Sequence, residues 1–364
     1  MTNTAIHFEV KIRDLIILII GILTILTFYP HLFTGIGKTR DDTQAALVAL
    51  SNVDHFKVAL DREKGFGRLR LGHYIENLSY LIDSPFYYKL FHIGPLVLNL
   101  LLFLYVLNMF YRSYALIGFF SIIYLASLQN SWEHNLLSCY PFLFTFSFNI
   151  LLISVILFKK YLDTSMKSYL IISAGLFFLP LFTYEMFLLY FVIFIILAFI
   201  YGGSVSLPVE NRLVRVIYIL RPFLLYIAIF VIAYFVFRRL YQVNYDGVQI
   251  AKFTIRNFFG VVYQFSVSAL PTYVFFHYQW LFDHYTDALE GHRYNLFYIV
   301  QNSRVEWMAK AALSAYFIYI LAKAKQRVLD FRKFGATILI SVALIFLPTL
   351  LFAITVKYQA WVQS

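Results

Sequence analysis

Long uninterrupted apolar stretches, separated by short polar breaks, set the pattern of this chain. Runs such as 15–28 and 187–200 show no alternation of apolar and polar positions. A barrel strand alternates the two over about ten residues, so these runs predict helices. A helix of about 20 apolar residues crosses the hydrocarbon core of a bilayer. The pattern predicts nine spans, at 15–33, 90–110, 114–129, 136–158, 168–183, 186–202, 217–237, 307–323 and 335–356. The stretch 261–282 is also apolar, but Pro271, His277 and Gln279 interrupt it. Counting it as a span would place the string KAKQRVLDFRK (323–333) outside, against the positive-inside rule. It is therefore expected to be re-entrant or interfacial. The expected fold class is all-α, a polytopic transmembrane helix bundle forming a single integral-membrane domain over 1–364.

With the N-terminus cytoplasmic, the short basic segments fall inside and two long segments, 34–89 and 238–306, fall outside. Of the nineteen Asp and Glu, only Glu9, Asp14, Asp163, Glu210 and Asp330 lie inside. His7 is the one inner residue among nine His. Polar chemistry is expected at the external face, although long loops hold more polar residues in any case.

Composition narrows the class. Hydrophobic residues make up 61% of the chain and charged residues 13%, against roughly 25% charged in a soluble protein. The mean hydropathy is +0.73. A soluble fold would lack polar residues to cover itself, and disorder is excluded for the same reason. The net charge is +11, but the basic residues are scattered between spans and form no stripe for nucleic acid. Membrane lipid headgroups, or phosphate on a lipid substrate, fit better. Cys139 is the single cysteine, which leaves no internal disulfide and no cysteine-based metal site. Lys11, Arg13 and Asp14 precede the first apolar run, which has no small-x-small cleavage site, so it reads as a retained span.

The first external segment holds the most specific motif. Gly35 to Lys38 spells GIGK, but it lacks phosphate-loop spacing and no strand precedes it. Asp41-Asp42 opens a stretch, 41–51, with helical apolar spacing. Such acids can simply complement a helix N-terminus. Alternatively, mutual repulsion raises the pKa of one carboxylate and makes it a general base, while the other orients an acceptor hydroxyl. Arg62, Lys64, Arg68 and Arg70 follow, interleaved with Gly65 and Gly67, and then His73, Tyr74 and Glu76. Guanidinium groups at a membrane surface suit phosphate, whether on a headgroup or a substrate.

The layout resembles the GT-C superfamily of integral-membrane glycosyltransferases. Asp41-Asp42 stands where that family has its acidic motif, just after the first span, and 41–51 and 73–83 stand for its two juxtamembrane helices. The strings TRDDTQ, GRLRLGHYIENLSYLIDSP, SWEHN and TYE look most like bacterial members that modify O-antigen or other surface polysaccharides. The resemblance implies an inverting transferase at the external face of the cell inner membrane, serving polysaccharide biosynthesis. Its donor would be a polyprenyl-phosphate-linked sugar and its acceptor a glycan or lipid. Asp41 or Asp42 would deprotonate the acceptor. The leaving lipid phosphate needs fixed cations. Arg238 and Arg239, at the outer end of the seventh expected span, are the first candidates, and Arg68 and Arg70 the second.

Other outer groups are candidate substrate contacts: His73, Trp132, Glu133, His134, Tyr184 and Glu185. Glu185 interrupts an apolar stretch, where a carboxylate is costly unless solvated or paired. His277, Asp283, His284 and His292 match no standard metal spacing. No cofactor is implied, and a divalent cation on Asp41 and Asp42 stays open. Two other functions use the same features: a flippase or transporter for a lipid-linked saccharide, and a polysaccharide polymerase or ligase with its site in 238–306.

Overall fold

The computed structural model describes residues 54–70, 84–111, 141–205, 211–241, 245–246, 249–252, 254–268 and 346–363, with single positions elsewhere. The chain divides into two compact units. One comprises Met1–Gly35, Leu107–Trp132 and Val267–Leu329; the other comprises Ile36–Val106, Glu133–Ser266 and Asp330–Ser364 and holds nearly all the described residues. The named elements are all helical. Among the described residues the one extended pairing is a single antiparallel bridge between Ile250 and Thr355.

Helix α1, His55–Phe66, falls in the segment read from sequence as a glycine-spaced basic run. Its boundaries are local chemistry. The Asp54 carboxylate accepts from the amides of Phe56 and Lys57 at 3.0 and 3.1 Å. At the other end Gly67 takes the left-handed conformation, φ 65°. Its amide donates to the Lys64 carbonyl and that of Arg68 to the Glu63 carbonyl, which is a Schellman termination. Gly65 lies inside the helix, so the two glycines do different work.

Among the described residues, three helices are long and apolar enough to cross a membrane: Phe86–Phe110, Phe144–Thr164 and Arg212–Leu240. The first is most of α2, Pro85–Tyr111. The second is α3, Ser147–Thr164, with part of a π-helical turn, Pro141–Phe146, before it. The third is α6, which Asn211 caps by accepting from the amide of Leu213 at 2.9 Å. Its 29 residues span about 43 Å at about 1.5 Å each, more than the hydrocarbon thickness requires. The outward face of α6 is mostly apolar, with Leu213, Ile217, Leu225, Ile232, Phe235 and Leu240 all exposed, interrupted by the exposed Arg221. A surface of this kind is tolerated where lipid, not water, covers it.

These three helices overlap the expected spans 90–110, 136–158 and 217–237, the second beginning at Phe144 and running on to Thr164. The expected spans 168–183 and 186–202 are shorter apolar helices, Lys167–Leu181 and Glu185–Tyr201. We label the first α4; the second is a 3-10 turn, Glu185–Tyr190, continuing as α5, Phe191–Tyr201. The expected spans 15–33, 114–129 and 307–323 lie outside the described residues apart from isolated positions, as do the expected surface helices 41–51 and 73–83. Of 335–356, residues 346–353 are helical. Of 261–282, only the beginning is described, as part of α7, Ile255–Ser268. The last helix, α8, is Val356–Gln363.

The core is the α3–α6 bundle. Only Ser165 and Met166 separate α3 from α4, and Ser165 takes φ 59° to reverse the chain. Ser154 and Ser173, both fully buried, exchange hydrogen bonds with each other's carbonyls at 2.7 Å. Small residues here let the two backbones approach closely. Each of the four helices then contributes one fully buried phenylalanine: Phe158, Phe177, Phe194 and Phe223. Phe223 stands 5.4, 5.8 and 4.5 Å from the other three, in edge-on and tilted pairings that aromatic quadrupoles favour. Helix α2 joins through Asn149, which accepts from Asn99 at 2.9 Å and donates to the Pro95 carbonyl at 2.8 Å.

Candidate functional site

At one end of this bundle cations and tyrosines collect around two carboxylates, Glu63 buried and Glu185 half-buried. The Schellman turn after α1 throws Arg68 and Arg70 back over the helix they leave. Arg70 donates from Nε and Nη2 to the two oxygens of Glu63, at 3.0 and 3.2 Å, with both side chains buried. Arg68 makes the same fork with Glu185, from Nε at 2.9 Å and Nη2 at 2.5 Å. Glu185 sits between α4 and α5, where Tyr184 is extended and the 3-10 turn begins. Close contact fixes this arrangement. A Cβ on Gly72 would meet Thr183 at 3.2 Å, so a larger residue there would push the two segments apart by a few tenths of an ångström.

Tyr184 lies under both arginines, with the Arg68 and Arg70 guanidinium carbons 4.8 and 5.7 Å from its ring centre. Tyr234 of α6 donates its hydroxyl to Glu185 at 3.4 Å. One turn later, Arg238 stands 5.9 Å from the Tyr234 ring. Arg239 follows it, exposed at the end of α6. The C-terminal segment closes the far side. Backbone bonds from Ala251 to Ile354, Val356 to Gln249 and Lys357 to Asp246 dock 246–251 onto 354–357. Lys357 thereby donates to the Tyr245 hydroxyl at 3.0 Å, and Arg68 stands 6.0 Å from the same ring.

Charge balance in this cluster favours ionised groups. Burial alone would lower the Arg68 pKa, but its bonds to Glu185 outweigh that and raise it. Burial likewise pushes the Glu185 carboxyl up, yet the Arg68 hydrogen bonds and the charges of Arg68 and Arg70 hold it below the ordinary carboxylate value. The acid that the sequence marked as costly is thus paired.

Of the residues singled out from the sequence, Arg68, Arg70, Tyr184, Glu185 and Arg238 meet in this cluster, with Arg239 at its edge. Asp41, Asp42, His73, Trp132, Glu133 and His134 lie outside the described residues, as do His277, Asp283, His284 and His292. Among the described residues no three His, Cys, Asp or Glu converge to hold a metal ion. Sequence reading missed Glu63, Tyr234, Tyr245 and Lys357. The i,i+4 spacing of Tyr234 and Arg238 was a usable signal; the contacts of Tyr245 and Lys357 join segments more than a hundred residues apart and left none. No family model, curated protein or solved structure matches the chain.

Proposed function

We propose that the protein is an inverting membrane glycosyltransferase that takes a sugar from a polyprenyl-phosphate donor at the external face of the inner membrane. One observation supports this reading above the others. Arg68 and Arg70, from the segment that carries Asp41-Asp42, share a cluster with Arg238 at the end of a candidate span. A lipid-phosphate leaving group needs fixed cations at the end of a membrane helix, near the base that activates the acceptor.

In this reading an Asp of the Asp41-Asp42 pair takes the proton of the acceptor hydroxyl. The hydroxyl oxygen bonds to the anomeric carbon from the face opposite the phosphate. The bond from that carbon to phosphate breaks, and its electron pair stays on the lipid phosphate. Arg238 and Arg239 receive that charge. Arg68 and Arg70 have their paired donors occupied by carboxylates, so they hold Tyr184 as a platform on which a sugar ring stacks.

The test is transfer from radiolabelled polyprenyl-phosphate glucose by the full chain in nanodiscs. Asp41→Asn or Asp42→Asn is expected to lower the rate by about a hundredfold or more while polyprenyl phosphate still binds. Full transfer by both variants would contradict the assignment. Lipid-linked sugar that crosses the bilayer without being cleaved would favour the flippase.

A further inference from the structure

Arg221 stands at the centre of the face that α6 turns away from the bundle. It is exposed, as are Ile217 and Leu225 four residues to either side and Val214 and Ala228 seven residues to either side. At 3.6 residues per turn these positions share one face. Ile219, Phe223 and Phe230, which pack into the core, lie on the other. The next cation on the outward face is Arg239, eighteen residues on, which is about 27 Å at about 1.5 Å each. Every exposed side chain between the two arginines is apolar. That interval is close to the roughly 30 Å of hydrocarbon in a bilayer. Arg221 and Arg239 therefore bracket the hydrocarbon along α6. The turns before Arg221 stand in the headgroup layer, at the end of the bundle opposite the Glu185 cluster.

The Arg221 guanidinium leans back towards that layer, its carbon 4.4 Å from the ring centre of the exposed Tyr218, one turn earlier. Other helices pair cations with rings at the same end: Lys159 with Tyr201 at 5.1 Å, Lys160 with Tyr169 at 6.0 Å and Arg212 with Phe199 at 3.8 Å. Such a belt marks the headgroup level. Several of these cations are already engaged. Lys159 pairs with Asp163, Arg212 donates to the Phe199 carbonyl at 2.7 Å and Arg215 to the Gly203 carbonyl at 3.5 Å. Asp163 is the one acid among the described residues of 159–169, 199–205 and 211–221. By contrast, no hydrogen bond or ion pair among the described residues holds Arg221. A guanidinium on a lipid-covered face must find its acceptors in the lipid, and a phosphodiester offers two oxygens to its planar fork. The surplus of cations around it favours a lipid of net negative charge. We infer that Arg221 and Tyr218 form a site on the lipid-facing surface of α6 for the phosphodiester of an anionic phospholipid. The guanidinium takes two phosphate oxygens and the Tyr218 hydroxyl donates to the headgroup. The site is at the other end of α6 from Arg238 and Arg239, and sugar transfer is not needed for it to exist.

The experiment is native mass spectrometry of the full chain, delipidated in neutral detergent and titrated with dioleoyl phosphatidylglycerol, dioleoyl phosphatidylcholine or dioleoylglycerol. The first phosphatidylglycerol is expected to bind more tightly than phosphatidylcholine, and dioleoylglycerol, which has no phosphate, more weakly than either. Arg221→Leu should weaken the first phosphatidylglycerol by about fivefold or more, and Arg221→Lys by less. Lys167→Leu removes an exposed cation from the same end and should change it little. Arg221→Leu leaves the outward face apolar, so in phosphatidylcholine nanodiscs it should unfold at or near the wild-type temperature. Unchanged phosphatidylglycerol affinity in Arg221→Leu overturns the inference. An equal loss in Lys167→Leu also overturns it, since the attraction is then diffuse charge and not a site. Phosphatidylcholine binding as tightly as phosphatidylglycerol removes the selectivity for an anionic lipid, and displacement by an equal concentration of inorganic phosphate assigns the site to a soluble anion; both contradict it. So does an Arg221→Leu protein that is destabilised or fails to fold, because that reveals a protein partner for the guanidinium.

Discussion

Arg68 grips both oxygens of Glu185 across 117 residues of sequence, at 2.9 and 2.5 Å. The pair ties the turn after α1 to the break between α4 and α5, and Tyr234 and Arg238 continue it to the end of α6. Breaking one side leaves a buried charge alone. Glu185→Gln should lower unfolding stability in detergent by about 3–5 kcal/mol, and the double variant Arg68→Met/Glu185→Leu should recover much of it. A single-variant loss no larger than that of exposed Arg239→Gln would contradict the pairing.

The same pair sets a pH dependence. The Glu185 carboxyl titrates below its ordinary value of 4.5 in the folded protein. Its contribution is therefore complete above that value and is lost as pH falls through it towards the depressed one. The stability of wild type should drop over this acid range more steeply than that of Glu185→Gln. Parallel curves would show that Glu185 is not held in its charged form.

Gly65 and Gly67 should respond oppositely to alanine. Gly67 sits at φ 65°, so Gly67→Ala should cost about 1–2 kcal/mol. Gly65 is exposed within α1 with nothing near its missing Cβ, so Gly65→Ala should gain about 0.5–1 kcal/mol. Chemical unfolding midpoints of the two variants check both signs.

Phe223 is the hub of the four-helix core, in contact with Phe158, Phe177 and Phe194. Phe223→Ala should cost about 3–5 kcal/mol. Phe235→Ala, on the exposed face of the same helix, should cost far less. Equal losses would mean that the outward face of α6 is also packed against protein.

Apolar run length alone made α2, α3 and α6 legible, because about 20 consecutive apolar residues have few uses other than a span. The runs 168–183 and 186–202 were legible as helices, but hydropathy cannot separate a span from a short helix buried in a bundle. Helix α1 went unread because it is polar and its signals are two caps, Asp54 and Gly67, with no apolar stripe between them. The cost of a lone Glu185 was readable, and its partner was not. Pairing across 117 residues is a property of the packed bundle, as is the docking of Lys357 on Tyr245.

Anomeric configuration tests the central claim most directly. The reconstituted full chain is supplied with polyprenyl-phosphate glucose and a surface-glycan acceptor, and the product linkage is read by NMR. The account predicts one polyprenyl phosphate released per glucose transferred, with the anomeric centre inverted and the rate lost on Asp41→Asn or Asp42→Asn. Retained configuration, or donor that crosses the bilayer with its sugar still attached, would contradict it.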